Sequence, residues 1–276
     1  MIQNLGVHTT EESIQQLRQY TNLFQISLHD AKMFEFYYSK IRNSVYEWRT
    51  LCPDAFFVVH APYPTNIMIE NKVLKHSIIS IDNHLKACLD LGSPFLVVHP
   101  GTRNFKSSGG NREIPLEESV KHTKKILKLI MKDYKGKGVR LLLENMSNIN
   151  LKGLPMDNLI EIADEMYPEV GVCFDVEHAY ARGESVKRYE QFMERADVIH
   201  FNPVPSEVRF GKGLDHHSHT TLNESVGIPP KKLKQWLVKF KDKIKIMEMT
   251  STTAERSLCQ LSEENKNGRL RELINA

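Results

Sequence analysis

Histidine and acidic residues recur at the ends of short apolar runs in this sequence, and these side chains can bind metal ions and transfer protons. The chain has 12 histidines among 276 residues. Eight apolar runs end at or next to His8, His29 and Asp30, His60, His99, Glu144, Asp175, His200 and Glu248. His178 follows the sixth run, and Asp215, His216, His217 and His219 follow the seventh. One such histidine is usually structural, but so many at equivalent positions indicate a shared site.

Gathering many imidazoles and carboxylates in one cavity is unfavourable unless bound cations compensate their cost. Histidine and carboxylate ligands without cysteine indicate zinc first, with manganese or iron as second choices. About nine of these residues are plausible ligands. They exceed the four or so ligands that one zinc ion takes. The sequence therefore predicts two or three ions with a bridging carboxylate, an arrangement that commonly hydrolyses phosphate esters.

Alternating strands and helices are expected to position these residues. The apolar runs are Gln3–His8, Leu23–Leu28, Phe56–His60, Phe95–His99, Val139–Glu144, Gly171–Asp175, Asp197–His200 and Lys245–Met249. Such runs are typical of parallel strands buried on both faces. The segments between them follow the helical period, as in Leu116–Tyr134, and Pro115 and Pro229 mark helix starts. A doubly wound sheet is disfavoured, because the first turn is not glycine-rich.

Eight strand–helix units in 276 residues predict an α/β fold, a single (β/α)8 TIM barrel, with one domain over residues 1–276. In this fold the C-terminal ends of the strands meet at one mouth, so the metal site is expected there. The formal net charge of +3 permits nucleic-acid binding without arguing for it. Scattered cysteines, no long apolar run and no signal peptide predict an intracellular, cytoplasmic protein with no membrane partner.

The order of the motifs resembles that of endonuclease IV, a family of zinc-dependent abasic-site endonucleases with a (β/α)8 barrel. The matching motifs are V-H-A-P-Y (59–63), V-V-H-P-G (97–101), L-E-N (143–145), G-V-C-F-D-V-E-H-A (171–179), H-F-N (200–202), D-H-H (215–217) and M-E (247–248). They occur in the family's order over residues 60 to 250. One such motif is weak evidence, whereas the ordered set is specific.

This resemblance implies three zinc ions, with manganese as a partial alternative. His60, His99 and Glu144 would hold the first ion, and Glu144, Asp175, His200 and Glu248 would hold the second. His178, Asp215 and His217 would hold the third. Glu144 and Glu248 would also act in catalysis, Tyr63 matches an aromatic residue beside the family's site, and His8 matches a position near the metals.

The resemblance also implies the reaction and the partner. Water activated at the metals would attack the phosphodiester 5′ to an abasic nucleotide in double-stranded DNA and leave a 3′ hydroxyl, as in base excision repair. The family is generally monomeric, so a monomer is expected, and a eukaryotic or viral source would place the protein in the nucleus rather than at a nucleoid. The stretch after the second run, Ser27–Lys32, lacks the family's arginine, and Pro203 replaces an aspartate. These departures concern DNA contacts and remove no ligand.

A metal-dependent sugar isomerase or epimerase of the related xylose-isomerase-like barrels is the main alternative. Glu144, Asp175, His200 and Glu248 alone would serve such an enzyme, which leaves the other five candidate ligands without a role. A hydrolase of another phosphate ester and a non-catalytic nucleic-acid-binding barrel are further alternatives. His76, His84 and His122 fall within predicted helices, and we interpret them as structural.

Overall fold

Strands and helices alternate along the chain. The computed structural model describes residues 4–9, 11–28, 37–62, 65–107, 110–147, 152–212 and 220–272. The strands are β1 (Leu5–Thr9), β2 (Leu23–Ser27), β3 (Phe56–His60), β4 (Phe95–Val98), β5 (Asn104–Ser107), β6 (Gly110–Glu113), β7 (Arg140–Glu144), β8 (Val170–Asp175), β9 (Val198–His200) and β10 (Ile244–Met247). The helices are α1 (Glu11–Leu17), α2 (Tyr37–Leu51), α3 (Leu74–Leu91), α4 (Leu116–Met131), α5 (Met156–Glu165), α6 (Val176–Arg182), α7 (Tyr189–Arg195), α8 (Pro230–Lys239), α9 (Ser251–Lys266) and α10 (Arg269–Glu272).

Eight of the strands close into a parallel barrel in the order β1, β2, β3, β4, β7, β8, β9 and β10. The predicted (β/α)8 barrel is confirmed, and every barrel strand begins and ends within two residues of its predicted run. All six residues of β8 are buried, as expected for a parallel strand covered by helices.

Strands β5 and β6 form an antiparallel hairpin between β4 and α4. The sequence analysis did not predict this hairpin. Its two strands read N-F-K-S and G-N-R-E, so they lack the alternating apolar residues that indicate a strand in a sequence. The hairpin follows the C-terminal end of β4, which places it on the same side of the barrel as the other strand ends.

Apolar side chains fill the barrel interior in one layer, to which seven strands each contribute one residue. The layer consists of Leu23, Val58, Val97, Leu142, Cys173, Val198 and Ile246. Gly6 takes the corresponding place in β1, where an added Cβ atom would lie 2.4 Å from the carbonyl oxygen of Leu23. Only glycine therefore fits there. A larger apolar core lies between the strands and the surrounding helices.

The surrounding helices follow the predicted amphipathic pattern. Helix α4 begins after Pro115 and buries Val120, Ile126 and Ile130 against the barrel. It ends at Met131 rather than at the predicted Tyr134. Gly136 and Gly138, with φ of 70° and 80°, lie in the turn that leads to β7. Within the described residues, no helix combines the length and the apolar character needed to cross a membrane.

Glu190 of α7 connects that helix to α8 through three hydrogen bonds. Its carboxylate accepts hydrogen bonds from Nζ of Lys232 at 2.7 Å, from Nε1 of Trp236 at 2.8 Å and from Nζ of Lys239. These hydrogen bonds lower the pKa of Glu190 to about 2. The ionised carboxylate therefore stabilises the contact between the two helices.

Candidate metal centre

Polar side chains form a second layer inside the barrel, at its C-terminal mouth. Residues two positions apart on a strand face the same side. Each residue of the apolar layer is therefore followed by a polar residue on the same face: Gln25, His60, His99, Glu144, Asp175, His200 and Glu248. His8 follows Gly6 in the same way. The period of two thus brings one polar side chain from each of the eight strands, or from the residue directly after it, to one mouth.

Glu144 lies at the centre of this polar layer and is fully buried. Its Oε2 atom lies 3.0 Å from Nε2 of His60 and 2.6 Å from Nε2 of His99. Its Oε1 atom lies 2.9 Å from Nδ1 of His200 and 3.3 Å from Nδ1 of His178. One carboxylate therefore contacts four imidazoles, two on each oxygen, which is the placement expected of a bridging ligand.

Two further carboxylates face His200 from neighbouring strands. Nδ1 of His200 lies 3.2 Å from Oε2 of Glu248 and 3.7 Å from Oδ2 of Asp175, in addition to its contact with Glu144. Asp175 is fully buried and Glu248 is 8% exposed. Three carboxylates are thus held around one imidazole nitrogen with little access to water.

Buried asparagines hold the carboxylates in place. The side-chain amide of Asn202 donates to Oδ2 of Asp175 at 2.9 Å, and its oxygen accepts from the backbone N–H of Glu248 at 2.7 Å. Asn145 pairs with the backbone of Asp175 through both amide atoms, and its own carbonyl oxygen lies 2.8 Å from Nδ1 of His178. Hydrogen bonds of this kind orient ligands around metal ions.

The donor atoms fit divalent cations. Three sets of side chains each bring their donor atoms within 4.8 Å of one another: His60, Glu144 and His200; His99, Glu144 and His178; and Glu144, Asp175, His200 and Glu248. Three buried carboxylates in contact with the same imidazoles would repel one another unless positive charge lies between them. Nitrogen and oxygen donors without thiolate suit zinc or manganese.

The sequence matches a protein family whose fold is also a TIM barrel. A family model described as a xylose isomerase-like TIM barrel matches residues 25–273. This chain belongs to the xylose isomerase-like TIM barrel family. The match includes every described residue of the polar layer except His8.

Proteins that are similar to this chain carry both nuclease and epimerase names. A protein named "Probable endonuclease 4" from Methanoculleus marisnigri is 29% identical over 181 residues, which are 60% of this chain and 61% of that protein. The match thus spans about three-fifths of that relative's length.

Solved structures show the shared fold. Endonuclease IV from Thermus thermophilus is 22% identical, with a TM-score of 0.67, over 94% of this chain and 99% of that chain. A D-tagatose 3-epimerase-like protein is 20% identical, with a TM-score of 0.63, over 99% of this chain and 98% of that chain.

The charges within the polar layer favour anionic Glu144 and Glu248. Burial raises the pKa of Glu144, but the charges of His99 and His200, with hydrogen bonds from His178 and His200, hold it well below its usual range. Burial likewise opposes ionisation of Glu248, and His200 nevertheless keeps its pKa well below the usual range. Anionic carboxylates are the form that binds metal ions.

The structure brings together most of the residues predicted from the sequence. His60, His99, Glu144, Asp175, His178, His200 and Glu248 lie in one buried cluster. His8 lies beside it, with Nδ1 at 3.7 Å from Oε1 of Glu248. Tyr63, Asp215 and His217 lie outside the described residues, as do His29, Asp30, His216 and His219. The roles predicted for those seven residues stay predictions, as do the metal-binding and catalytic roles predicted for the residues of the cluster.

The histidines interpreted as structural lie on helices. His76 and His84 are in α3 and His122 is in α4. His84 is fully buried, its Nδ1 lies 2.7 Å from the carbonyl oxygen of Ser80, and burial lowers its pKa to about 4. It is therefore a neutral histidine packed within the fold.

Sequence reasoning missed Gln25, which occupies the polar layer on β2. The search for site residues at that strand continued to His29 and Asp30, beyond the strand's last residue, Ser27. Leu23 and Gln25 have the same spacing as Val58 and His60, and this spacing is the signal that would have placed Gln25 on the inner face of β2, although it does not reveal the contacts of Gln25.

A cavity of about 190 Å³ opens directly onto the cluster and is lined by His8, Ser27, His60, Ala61, Pro62, His99 and Glu248. A larger groove, of about 1050 Å³, lies against the outer face of α4 and α5. Residues of the buried cluster line the smaller cavity and are absent from the described lining of the larger groove. We therefore take the smaller cavity as the entrance to the site.

Proposed function

We propose that this protein is a metal-dependent DNA endonuclease that hydrolyses the phosphodiester 5′ to abasic sites and leaves a 3′ hydroxyl. One observation carries this proposal: His60, His99 and His178 join the four-residue set of Glu144, Asp175, His200 and Glu248 in a single buried cluster. A one-ion enzyme would use the four-residue set alone, whereas the additional imidazoles provide for a multi-ion centre.

The proposed centre holds three zinc ions, with manganese as a partial alternative. His60, His99 and Glu144 would hold the first ion. Glu144, Asp175, His200 and Glu248 would hold the second. His178 would hold the third together with Asp215 and His217. Nδ1 of His60 lies 2.7 Å from the carbonyl oxygen of Ala61, which leaves its Nε2 atom for an ion.

Bound zinc supplies a Lewis acid that stabilises charge on a phosphate and lowers the pKa of water. The chain itself supplies orientation and exclusion of water. Glu248 lines the cavity, and Glu144 lies behind it in contact with the lining residues His60 and His99. His8, whose side chain is 30% exposed, also lines the cavity. We propose that His8 and Tyr63 contact the phosphate or sugar of the substrate there.

The proposed partner is double-stranded DNA that contains an abasic site. The name of the Methanoculleus relative and the ordered motifs support it. A nucleotide without its base costs least to unstack and extrude, which would favour its entry into a narrow cavity. We also propose that residues 1–276 form one domain that acts as a monomer inside the cell. The four cysteines are free thiols, which supports a reducing compartment.

The test is cleavage of a labelled duplex with one tetrahydrofuran residue, an abasic analogue that cannot undergo β-elimination. Protein reconstituted with zinc should cut on the 5′ side and leave a 3′ hydroxyl, and a chelator should prevent the cut. A matched duplex with an intact base should stay uncut, and Glu144→Gln should abolish cleavage. No cleavage by protein that holds three zinc ions would refute the proposed substrate.

A sugar isomerase or epimerase is the second candidate, because Glu144, Asp175, His200 and Glu248 form a complete one-ion set. The likeness to a D-tagatose 3-epimerase-like protein shows a shared fold and no more. Metal analysis separates the two functions, since one bound ion per chain favours the isomerase and three favour the nuclease. Conversion of a ketose by the one-ion protein would decide for the isomerase.

A further inference from the structure

Gln25 lies in the polar layer on β2 and is fully buried. Its Oε1 atom lies 2.9 Å from Nε2 of His200. Its Nε2 atom donates to Oε1 of Glu248 and lies 3.1 Å from Nδ1 of His8. One amide thus contacts two residues of the candidate metal centre and the histidine at the cavity wall.

The contact with His200 decides which nitrogen of that imidazole can bind a metal ion. An amide oxygen can only accept a hydrogen bond, so Nε2 of His200 must carry the hydrogen. In the neutral imidazole the lone pair is then on Nδ1. Nδ1 is the atom that faces the carboxylates of Glu144, Glu248 and Asp175. Gln25 therefore aims the ligating nitrogen of His200 at the three carboxylates.

We propose that Gln25 is a positioning residue of the metal centre, which fixes His200 as an Nδ1 ligand and orients Glu248. The inference rests on the proposed metal centre and does not depend on the substrate. A metal-bound histidine usually donates its other N–H to a carboxylate, a carbonyl or water. Here a side-chain amide takes that place, and it also uses both amide hydrogens on the adjacent ligand and His8.

Gln25 uses both ends of its amide, so a substitute would have to accept one hydrogen bond and donate others. A carboxylate at position 25 would still accept from His200, but it would offer no hydrogen to Glu248 and would place a second negative charge beside it. An apolar side chain of the same length would lose all three contacts. The variants Gln25→Glu and Gln25→Met therefore separate the two functions of the amide.

The first experiment measures zinc affinity by competition with a chelating dye, together with the number of ions per chain. Gln25→Met should lower the affinity for one zinc ion by about 10- to 100-fold and leave the affinity for the other ions unchanged. The zinc affinity of Gln25→Glu should lie between those of Gln25→Met and the unaltered protein. The control is Val97→Ala, which creates a cavity in the apolar layer without removing a hydrogen bond to a ligand. Equal affinity in Gln25→Met and the unaltered protein would overturn the inference, as would an equal loss in Val97→Ala.

The second experiment identifies the nitrogen directly in zinc-loaded protein with ¹⁵N-labelled histidine. Long-range ¹H–¹⁵N correlation spectra should show His200 protonated at Nε2 and bound through Nδ1. Ligation through Nε2 would overturn the inference. Affinity and tautomer are both measured without DNA, so a protein that binds zinc in this way but leaves abasic DNA uncut would refute the proposed substrate alone. A protein that binds no zinc would refute both.

Discussion

Replacing Glu144 with glutamine should remove most of the stabilisation that zinc gives to this protein. Each carboxylate oxygen of Glu144 contacts two imidazoles, and Glu144 belongs to all three sets of donor atoms. A glutamine has one acceptor oxygen, and its NH₂ group would face two of the imidazole nitrogens. The substitution therefore weakens the first and second proposed sites, which share Glu144, while it changes the side-chain volume little.

The size of the effect follows from the number of sites. At a free zinc concentration 100 times Kd, one bound ion stabilises the folded state by about 2.7 kcal/mol, so three ions contribute about 8 kcal/mol. For a chain of 276 residues, 1 kcal/mol corresponds to about 1.7 °C in Tm. Zinc should therefore raise the Tm of the unaltered protein by about 14 °C. If the two sites that contain Glu144 bind zinc 100-fold more weakly in Glu144→Gln and the third site is unchanged, the rise falls to about 6 °C.

Thermal unfolding of chelator-treated protein, with and without added zinc, measures this difference. Glu190→Gln is the control, because Glu190 lies outside the metal centre and its loss should lower Tm equally in both conditions. A rise in Tm on adding zinc that is the same in Glu144→Gln and in the unaltered protein would refute the bridging role of Glu144. A rise of about 5 °C in the unaltered protein would indicate one ion rather than three.

Three further predictions address the surroundings of the site and the barrel. Glu190→Gln should lower the free energy of unfolding at pH 7 by about 1–2 kcal/mol after solvent screening. Because folding lowers the pKa of Glu190 to about 2, this stabilisation is present above about pH 4.5 and is lost as the pH falls towards 2. Denaturation curves of the variant and the unaltered protein should therefore converge at acid pH. Gly6→Ala should destabilise the protein by about 3 kcal/mol or more, because the new Cβ would meet the backbone oxygen of Leu23, and urea unfolding that shows no loss would contradict this. Asn202→Ala should lower zinc affinity about 10- to 100-fold, since Asp175 loses the hydrogen bond from the Asn202 amide. Competition with a chelating dye measures this affinity, and an unchanged value would contradict the prediction.

The barrel and most of the candidate site could be predicted because both depend on a short period in the sequence. Strand β8 is buried on both faces, so its apolar run is visible in the sequence, and Asp175 at its end marks the mouth. The same reasoning placed Glu144 at the end of β7, where the structure has it. Parallel strands in a closed barrel allow only one side on which such ends can meet.

Gln25 and the β5–β6 hairpin could not be found by the same reasoning. The search was for metal ligands and proton donors, and a glutamine is neither, so its importance depends on contacts with His200 and Glu248 that only the folded barrel reveals. The hairpin strands consist mostly of polar residues, and their pairing depends on backbone hydrogen bonds rather than on an apolar pattern. In both cases the relevant interactions join parts of the chain that a local pattern does not connect.

The two layers inside the barrel explain how one fold can serve different metal chemistries. The apolar layer keeps the strands together, and the polar layer two residues later adds donor groups without changing strand geometry. The four-residue set of Glu144, Asp175, His200 and Glu248 would be enough for one ion. His60 and His99 extend it from β3 and from the residue after β4, and His178 extends it from the first turn of α6. These three histidines, rather than the barrel itself, are therefore the residues on which the choice between a proposed nuclease and a one-ion isomerase depends.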